Sequence, residues 1–254
     1  MKTSKSAIIA ALILSVGLVW TAGTASAFVL GPTTPGKWGT PTMGTPGGAV
    51  TWSLMPSGSD CSADGGGPCS SLASFMPVGF HALIASAFAA WEAVADIQFT
   101  EVVDDGAPFN FGTSGAIRIG GHAFDGPGGT LAHGFFPPAN GVTAAGDIHF
   151  DTAETWDLSD VGAGFNIFRV ALHEIGHAIG LDHETAVTAL MNPFYTESTA
   201  LGLLADDVAG AQFIYGAAVV VPPAVVPEPA TVLLLGSGLA GLAAWRMRRK
   251  NIAN

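Results

Sequence analysis

The chain has 254 residues, of which 49% are hydrophobic and only 11% charged, and its formal net charge is −11. A chain this acidic is excluded from holding nucleic acid through phosphate contacts, and its few basic residues sit mostly at the two ends. Lys2 and Lys5 precede one apolar run, Arg246, Arg248, Arg249 and Lys250 follow another, and only Lys37, Arg118 and Arg169 lie between. The acidic body suits oxygen-ligated cations and a salty exterior, and its length supports one domain with an ample core.

In chain order, Lys2, Lys5, the apolar run Ala7–Trp20 and the small-residue exit Ala25-Ser26-Ala27 read as a signal peptide over residues 1–27. Signal peptidase would then leave a mature chain beginning at Phe28. An uncleaved anchor is the alternative, but the run is short and its exit fits cleavage. Phe28–Gly48 is an extended lead-in rich in Pro, Gly and Thr, and Ala49–Leu54 alternates as a first strand. The Gly/Ser-rich loop Pro56–Ser71 carries Cys61 and Cys69, which in an exported chain read as a local disulfide, with two free thiols as the alternative. From Val78 to Ala95 apolar residues recur at helical spacing (Phe80, Leu83, Ile84, Phe88, Trp91, Val94).

Strands are expected at Ile97–Val102, Ala116–Ile119, Thr130–Phe135 and Asp147–Phe150, and helices at Phe165–Ile179 and Leu203–Tyr215. Ala217–Val226 is a linker. The sequence closes with Val226-Pro227-Glu228-Pro229, a short apolar run read as a transmembrane segment over 230–245, and a basic cluster that would stay cytoplasmic.

The chemistry concentrates in His173-Glu174-Ile175-Gly176-His177-Ala178-Ile179-Gly180-Leu181-Asp182-His183. Four residues apart on a helix, His173 and His177 share one face and can hold one zinc ion. Gly180 can take the positive φ that ends the helix and returns His183 as a third ligand. Three protein ligands leave a position open for water, as in a catalytic rather than a structural zinc site. Glu174 stands where it can take a proton from that water without being a ligand.

Met191 follows His183 within Ala189-Leu190-Met191-Asn192-Pro193-Phe194-Tyr195. Three histidines above a methionine turn resemble the metzincins, and the short gap with Pro-x-Tyr resembles their matrixin branch, the matrix-metalloproteinase family. Phe124–His133, Gly146–Trp156 and Asp206–Gly216 carry the resemblance further, so that it covers nearly all of residues 28–216. It implies an α/β (α+β) metzincin catalytic domain: a five-stranded twisted mixed sheet, three helices, and a zinc helix followed by the methionine turn. It implies a zinc-dependent endopeptidase acting on protein or peptide substrates, with Glu174 as catalytic base. Leu131 and Ala132 would meet substrate on an edge strand, and Pro193 and Tyr195 would wall the pocket for the residue after the cut.

By the same resemblance His122, His133 and His149 are candidates for a structural zinc, and Asp125, Gly126, Gly128, Thr130, Asp151 and Glu154 for calcium. The chain departs from the pattern at several places. Phe124 stands where the structural zinc's aspartate belongs, so that site is expected to be three-coordinate with water, rearranged or lost. Ala116 leaves only Asp147 of a second calcium site, and Asn192 replaces a tyrosine. Asp206 or Asp207 would pair with a new N-terminal ammonium, or would simply favour the last helix's N-terminus. No cysteine stands where a latency cysteine would.

The tail, residues 227–250, resembles the PEP-CTERM sorting signal of Gram-negative bacteria, which implies exosortase as a processing partner. It also implies C-terminal membrane anchoring, transient or permanent, and release at the cell surface, into the exopolysaccharide matrix or into the medium. A monomer is expected. The rival reading is a non-catalytic exopolysaccharide or biofilm matrix protein that keeps the metal-stabilised fold; the intact Glu174 argues against it.

Overall fold

A computed structural model describes residues 27–112, 115–137, 143–197, 200–219 and 231–252. The chain divides into two compact units, Met1–Ala217 and Ala218–Asn254. The first holds a five-stranded mixed sheet of β2 (Gly48–Leu54), β3 (Ile97–Glu101), β4 (Ile117–His122), β5 (Ala132–Gly134) and β6 (Ile148–Asp151). Their order is β3-β2-β4-β6-β5, with every pairing parallel except β5 against β6. The interior strands β4 and β6 are buried along their whole length, as strands covered on both faces must be. The short strand β5 is the antiparallel edge, so one of its backbone edges is free of sheet pairing.

Two helices pack on this sheet. Helix α1 (Phe80–Glu92) buries Ile84, Ala87, Phe88 and Trp91, the i, i+3, i+4, i+7 stripe seen in the sequence. Trp52 of β2 stacks on Phe88 at 4.8 Å. Helix α2 (Ile167–Ala178) starts at Asn166, whose side chain accepts the Arg169 backbone N–H at 3.1 Å. The expected start at Phe165 is two residues early. Phe165 and Asn166 form a short strand, β8, pairing with β7 (Trp156–Asp157), because the Phe165 N–H goes to Thr155 O and the Asn166 N–H to the Tyr195 hydroxyl.

Helices α1 and α2 are joined by a buried tryptophan. Trp91 is wholly inaccessible and donates its indole N–H to Leu172 O at 3.0 Å. Trp91→Ala is therefore expected to destabilise the domain by about 3–5 kcal/mol, read as a lower urea midpoint at unchanged slope. A shift under about 1 kcal/mol would contradict this packing.

The C-terminal end of α2 is over-determined, which matters because it precedes His183. Trp38 donates its indole N–H to Ala178 O at 2.8 Å, and the buried Tyr215 hydroxyl of α3 (Ala205–Tyr215) donates to Ile179 O at 2.8 Å. Both satisfy carbonyls that a helix end leaves without partners, at about 1 kcal/mol each. Strand β9 (Leu181–Asp182) then pairs antiparallel with β1 (Val29–Leu30), so the lead-in segment clamps the turn into His183.

In the second unit, helix α4 (Thr231–Ile252) covers the C-terminal run. The transmembrane expectation over 230–245 is not borne out: among the described residues no helix is long and apolar enough to cross a membrane. The physical reason is length and content. The run from Ala230 reaches only about 24 Å before Arg246, against an apolar core of about 30 Å, and it is diluted by Gly236, Ser237, Gly238 and Gly241.

Candidate active cleft and metal centres

His173, His177 and His183 converge, their candidate ligand atoms all within 4.8 Å of one another. His173 donates Nδ1–H to Leu190 O at 2.9 Å, and His177 donates Nδ1–H to Leu181 O at 2.8 Å. A carbonyl can only accept, so both rings carry their hydrogen on Nδ1 and turn a bare Nε2 toward the shared point. The His177 and His183 Nε2 atoms stand 3.2 Å apart there. Burial, and then the neighbouring imidazole, hold His173 down at about 3; burial likewise lowers His177 to about 4. Both rings are thus neutral at pH 7, the form a metal binds.

Glu174 faces the same cleft. Burial pushes its carboxyl up to about 8, and its Oε2 has no hydrogen-bond partner among the described residues. A buried carboxyl whose Oε2 lacks a partner, beside three imidazole nitrogens, fits a site built to take a cation and a water. The donor set suits zinc.

The floor is the turn that carries Met191. Asp207 builds it, accepting the Leu190 N–H at 2.8 Å, the Met191 N–H at 3.1 Å and the Leu204 N–H at 2.8 Å. Because Leu190 O in turn accepts the His173 Nδ1–H, Asp207 helps to set the orientation of a candidate metal ligand from a distance. Of the two aspartates, only Asp206 faces the N-terminal segment, accepting the Ala27 N–H at 2.7 Å. Gly176 makes the fit possible: a Cβ there would stand 2.3 Å from Met191 Sδ and 3.2 Å from Trp91 Cζ2.

Around these groups runs a cleft of about 870 Å³. All four expected substrate contacts, Leu131, Ala132, Pro193 and Tyr195, line it. So do Phe136, Phe165, Arg169 and Val170, which sequence reasoning missed. Arg169, though nearly buried, pairs with Asp160 at 2.7 Å and lies over the Tyr195 ring at 5.9 Å. Its helical spacing from His173 was the available signal, since position 169 shares the ligand face.

His122 on β4, His133 on β5 and His149 on β6 also converge, on neighbouring strands. The fourth member of the group is Asp64, which the sequence reading did not single out. It sits in the short helical turn Ser62–Asp64, inside the loop closed by the Cys61–Cys69 disulfide. Phe124, in the place of the expected aspartate, instead stacks on His133 at 4.7 Å.

The Asp125 loop is held by its own backbone. Asp125 accepts the Thr130 N–H and hydroxyl at 2.9 Å each, and Glu154 accepts the Gly128 N–H at 2.6 Å. Gly126 and Gly128 take φ of +91° and +81° to make the turn. Asp125, Asp151 and Glu154 are not among the groups whose ligand atoms lie within 4.8 Å of one another in the described residues. A buried Asp151 Oδ2 has no hydrogen-bond partner among the described residues. Near Asp147 the cation is Arg118, wholly buried, gripping Asp104 at 2.7 and 2.9 Å. Burial pushes Asp147 itself up to about 8.

This arrangement of helix, turn and edge strand has counterparts among known proteins. A family model described as a PEP-CTERM protein-sorting motif matches residues 225–250. Stromelysin-3 of Rattus norvegicus is 41% identical over 144 residues, 57% of this chain and 28% of that protein. Matrix metalloproteinase-17 of Homo sapiens is 38% identical over 158 residues, 60% of this chain and 26% of that protein. Interstitial collagenase of Bos taurus is 41% identical over 133 residues, 52% of this chain and 27% of that protein. The chain thus spans under a third of the length of these relatives. The model described as Matrixin matches residues 74–216, over half of the chain and the whole of the site from His122 to Met191; with the three histidines, Glu174 and the methionine turn in place, the chain belongs to the matrixin family.

Proposed function

We propose that the chain is an exported zinc-dependent endopeptidase that hydrolyses peptide bonds of extracellular proteins. The observation that carries this reading is the buried Glu174 carboxyl, whose Oε2 has no hydrogen-bond partner among the described residues, beside three converging imidazoles. A protein using the fold only as matrix material has no need of such a group, which weighs against the non-catalytic alternative.

A zinc ion held by His173, His177 and His183 would supply a Lewis acid for the scissile carbonyl and the attacking water. Glu174 would take a proton from the attacking water and pass it to the departing amine. The free edge of β5 offers backbone groups for an extended substrate to add as a further strand, with Leu131 and Ala132 beside it. Pro193 and Tyr195, with Arg169 and Val170 beneath, shape the pocket for the side chain after the cut.

The reading is tested by digesting unfolded casein with the purified chain and mapping the fragments by mass spectrometry. Internal cuts that share a preference just after the bond support it; release of terminal residues alone, or no cut by a folded zinc-loaded chain, would overturn it.

His122, His133 and His149 are read as holding a second, structural zinc, and Asp125, Asp151 and Glu154, with carbonyls of Gly126, Gly128 and Thr130, as holding calcium. The partnerless Asp151 Oδ2 supports the latter. Calcium at about 100 times its Kd should then stabilise the chain by about 2.7 kcal/mol, raising Tm by roughly 5–10 °C for a domain this size. Equal Tm values with calcium and with a calcium chelator would refute the site. The tail supports export in a Gram-negative bacterium and handling by exosortase, with signal peptidase acting at the other end; we infer that the enzyme works as a monomer.

A further inference from the structure

We propose that Asp64 is the fourth ligand of the second zinc centre, and that the Cys61–Cys69 disulfide holds it there, so the loop is a covalent clamp on the metal. The inference rests on the metal reading of His122, His133 and His149, and adds to it a ligand from a distant loop.

The geometry is specific. One Asp64 oxygen, Oδ2, lies 2.8 Å from His122 Nε2, 2.8 Å from His133 Nε2 and 2.5 Å from His149 Nδ1. The His133 and His149 nitrogens face each other at 3.4 Å. His122 Nδ1 stands 3.1 Å from Ala123 O, which can only accept, so Nδ1 holds a hydrogen and Nε2 is the ring atom turned toward the carboxylate. Hydrogen bonds alone satisfy this poorly, because one carboxylate oxygen offers about two lone-pair sites to the three ring nitrogens crowded on it. A cation between the four atoms satisfies all of them, and three imidazoles with one carboxylate form a closed set of the kind a structural zinc takes.

The loop is built to bring Asp64 there. Cys61 and Cys69 are both buried, among Met55, Phe109 and Ala144. Beyond the disulfide, Ser70 pairs with Gly121 of β4 in both directions, at 2.7 and 3.0 Å. Gly66 lies flat on His122, where a Cβ would come within 2.6 Å of the ring. Gly65, at φ +79°, turns the chain just after Asp64. A loop closed by a covalent link gives up far less entropy to hold a ligand than an open one.

Zinc per chain, measured by mass spectrometry of the metal, and the rate of zinc transfer to a chromogenic chelator test this on the full chain. The wild type should hold two zinc ions and His133→Ala one. Asp64→Asn should lose the second ion at least about 100-fold faster than wild type, and Cys61→Ser/Cys69→Ser about 10-fold faster, on the scale by which weakened ligand sets lose affinity. Asp64→Ser is the second variant should the asparagine not fold, with circular dichroism as the check.

Two ions held equally well by wild type and both Asp64 variants, but not by His133→Ala, would remove Asp64 as a ligand and leave the second zinc standing. Unchanged release from the double serine variant would overturn the clamp. One ion in wild type and His133→Ala alike would overturn the second zinc itself, and this inference with it.

Discussion

Glu174→Gln should keep its zinc and its fold while kcat falls by roughly 10²- to 10⁴-fold, the scale of a lost general acid–base group. Glutamine has the same shape, so the packing against Gly134 on β5, where a Cβ would stand 3.3 Å from Glu174 Oε2, is not disturbed. Burial disfavours the ionised carboxylate at this place, so replacing it with a neutral amide should not cost stability. Steady-state hydrolysis of a quenched peptide, with zinc content and Tm measured alongside, separates the three quantities. Substantial activity in a zinc-loaded Glu174→Gln chain would assign the base elsewhere.

Gly180→Ala should have the other large effect, by a different route. Gly180 takes φ +109°, and a Cβ there would stand 2.3 Å from Gly36 O, a backbone atom that cannot swing aside. The residue ends α2 by donating its N–H to His177 O at 2.9 Å, and the chain then turns into β9 and His183. Relieving the clash must move either the lead-in segment or the turn. A stability loss of at least about 2 kcal/mol is expected from the backbone conformation alone. Because His183 hangs from that turn, zinc affinity should fall by roughly 10- to 100-fold as well. Wild-type zinc affinity in a folded Gly180→Ala chain would show that His183 does not depend on this turn.

The three-histidine cleft was legible because its parts are local. His173, Glu174 and His177 share a helix turn, Gly180 supplies the stop, and Met191 follows within one short loop, so spacing alone places them together. The five sheet strands and three helices of the first unit were legible for the same reason, to within a few residues at their ends. Asp64 was not legible. It lies 58, 69 and 85 residues from the three histidines it faces, and only tertiary folding of a cysteine-closed loop brings it over β4. Asp207 was seen in the sequence as a partner for a new N-terminal ammonium or as a helix-start acid; it does take the Leu204 N–H at the start of α3, but its carboxylate also holds the methionine turn. That role depends on how α3 docks, which no local pattern encodes. Asp147, all that the sequence offered of a second cation site, accepts the Arg118 backbone N–H instead, while the Arg118 guanidinium pairs with Asp104.

The most direct test of the account is metal-dependent hydrolysis. The purified chain is stripped with a zinc chelator, checked for retained fold, and resupplied with zinc while cleavage of a quenched-peptide library is followed. The account predicts that stripping abolishes cleavage and that returning zinc to the three-histidine site restores it. A folded chain with zinc bound there that cuts no peptide, or one that cuts equally well when stripped, would contradict it.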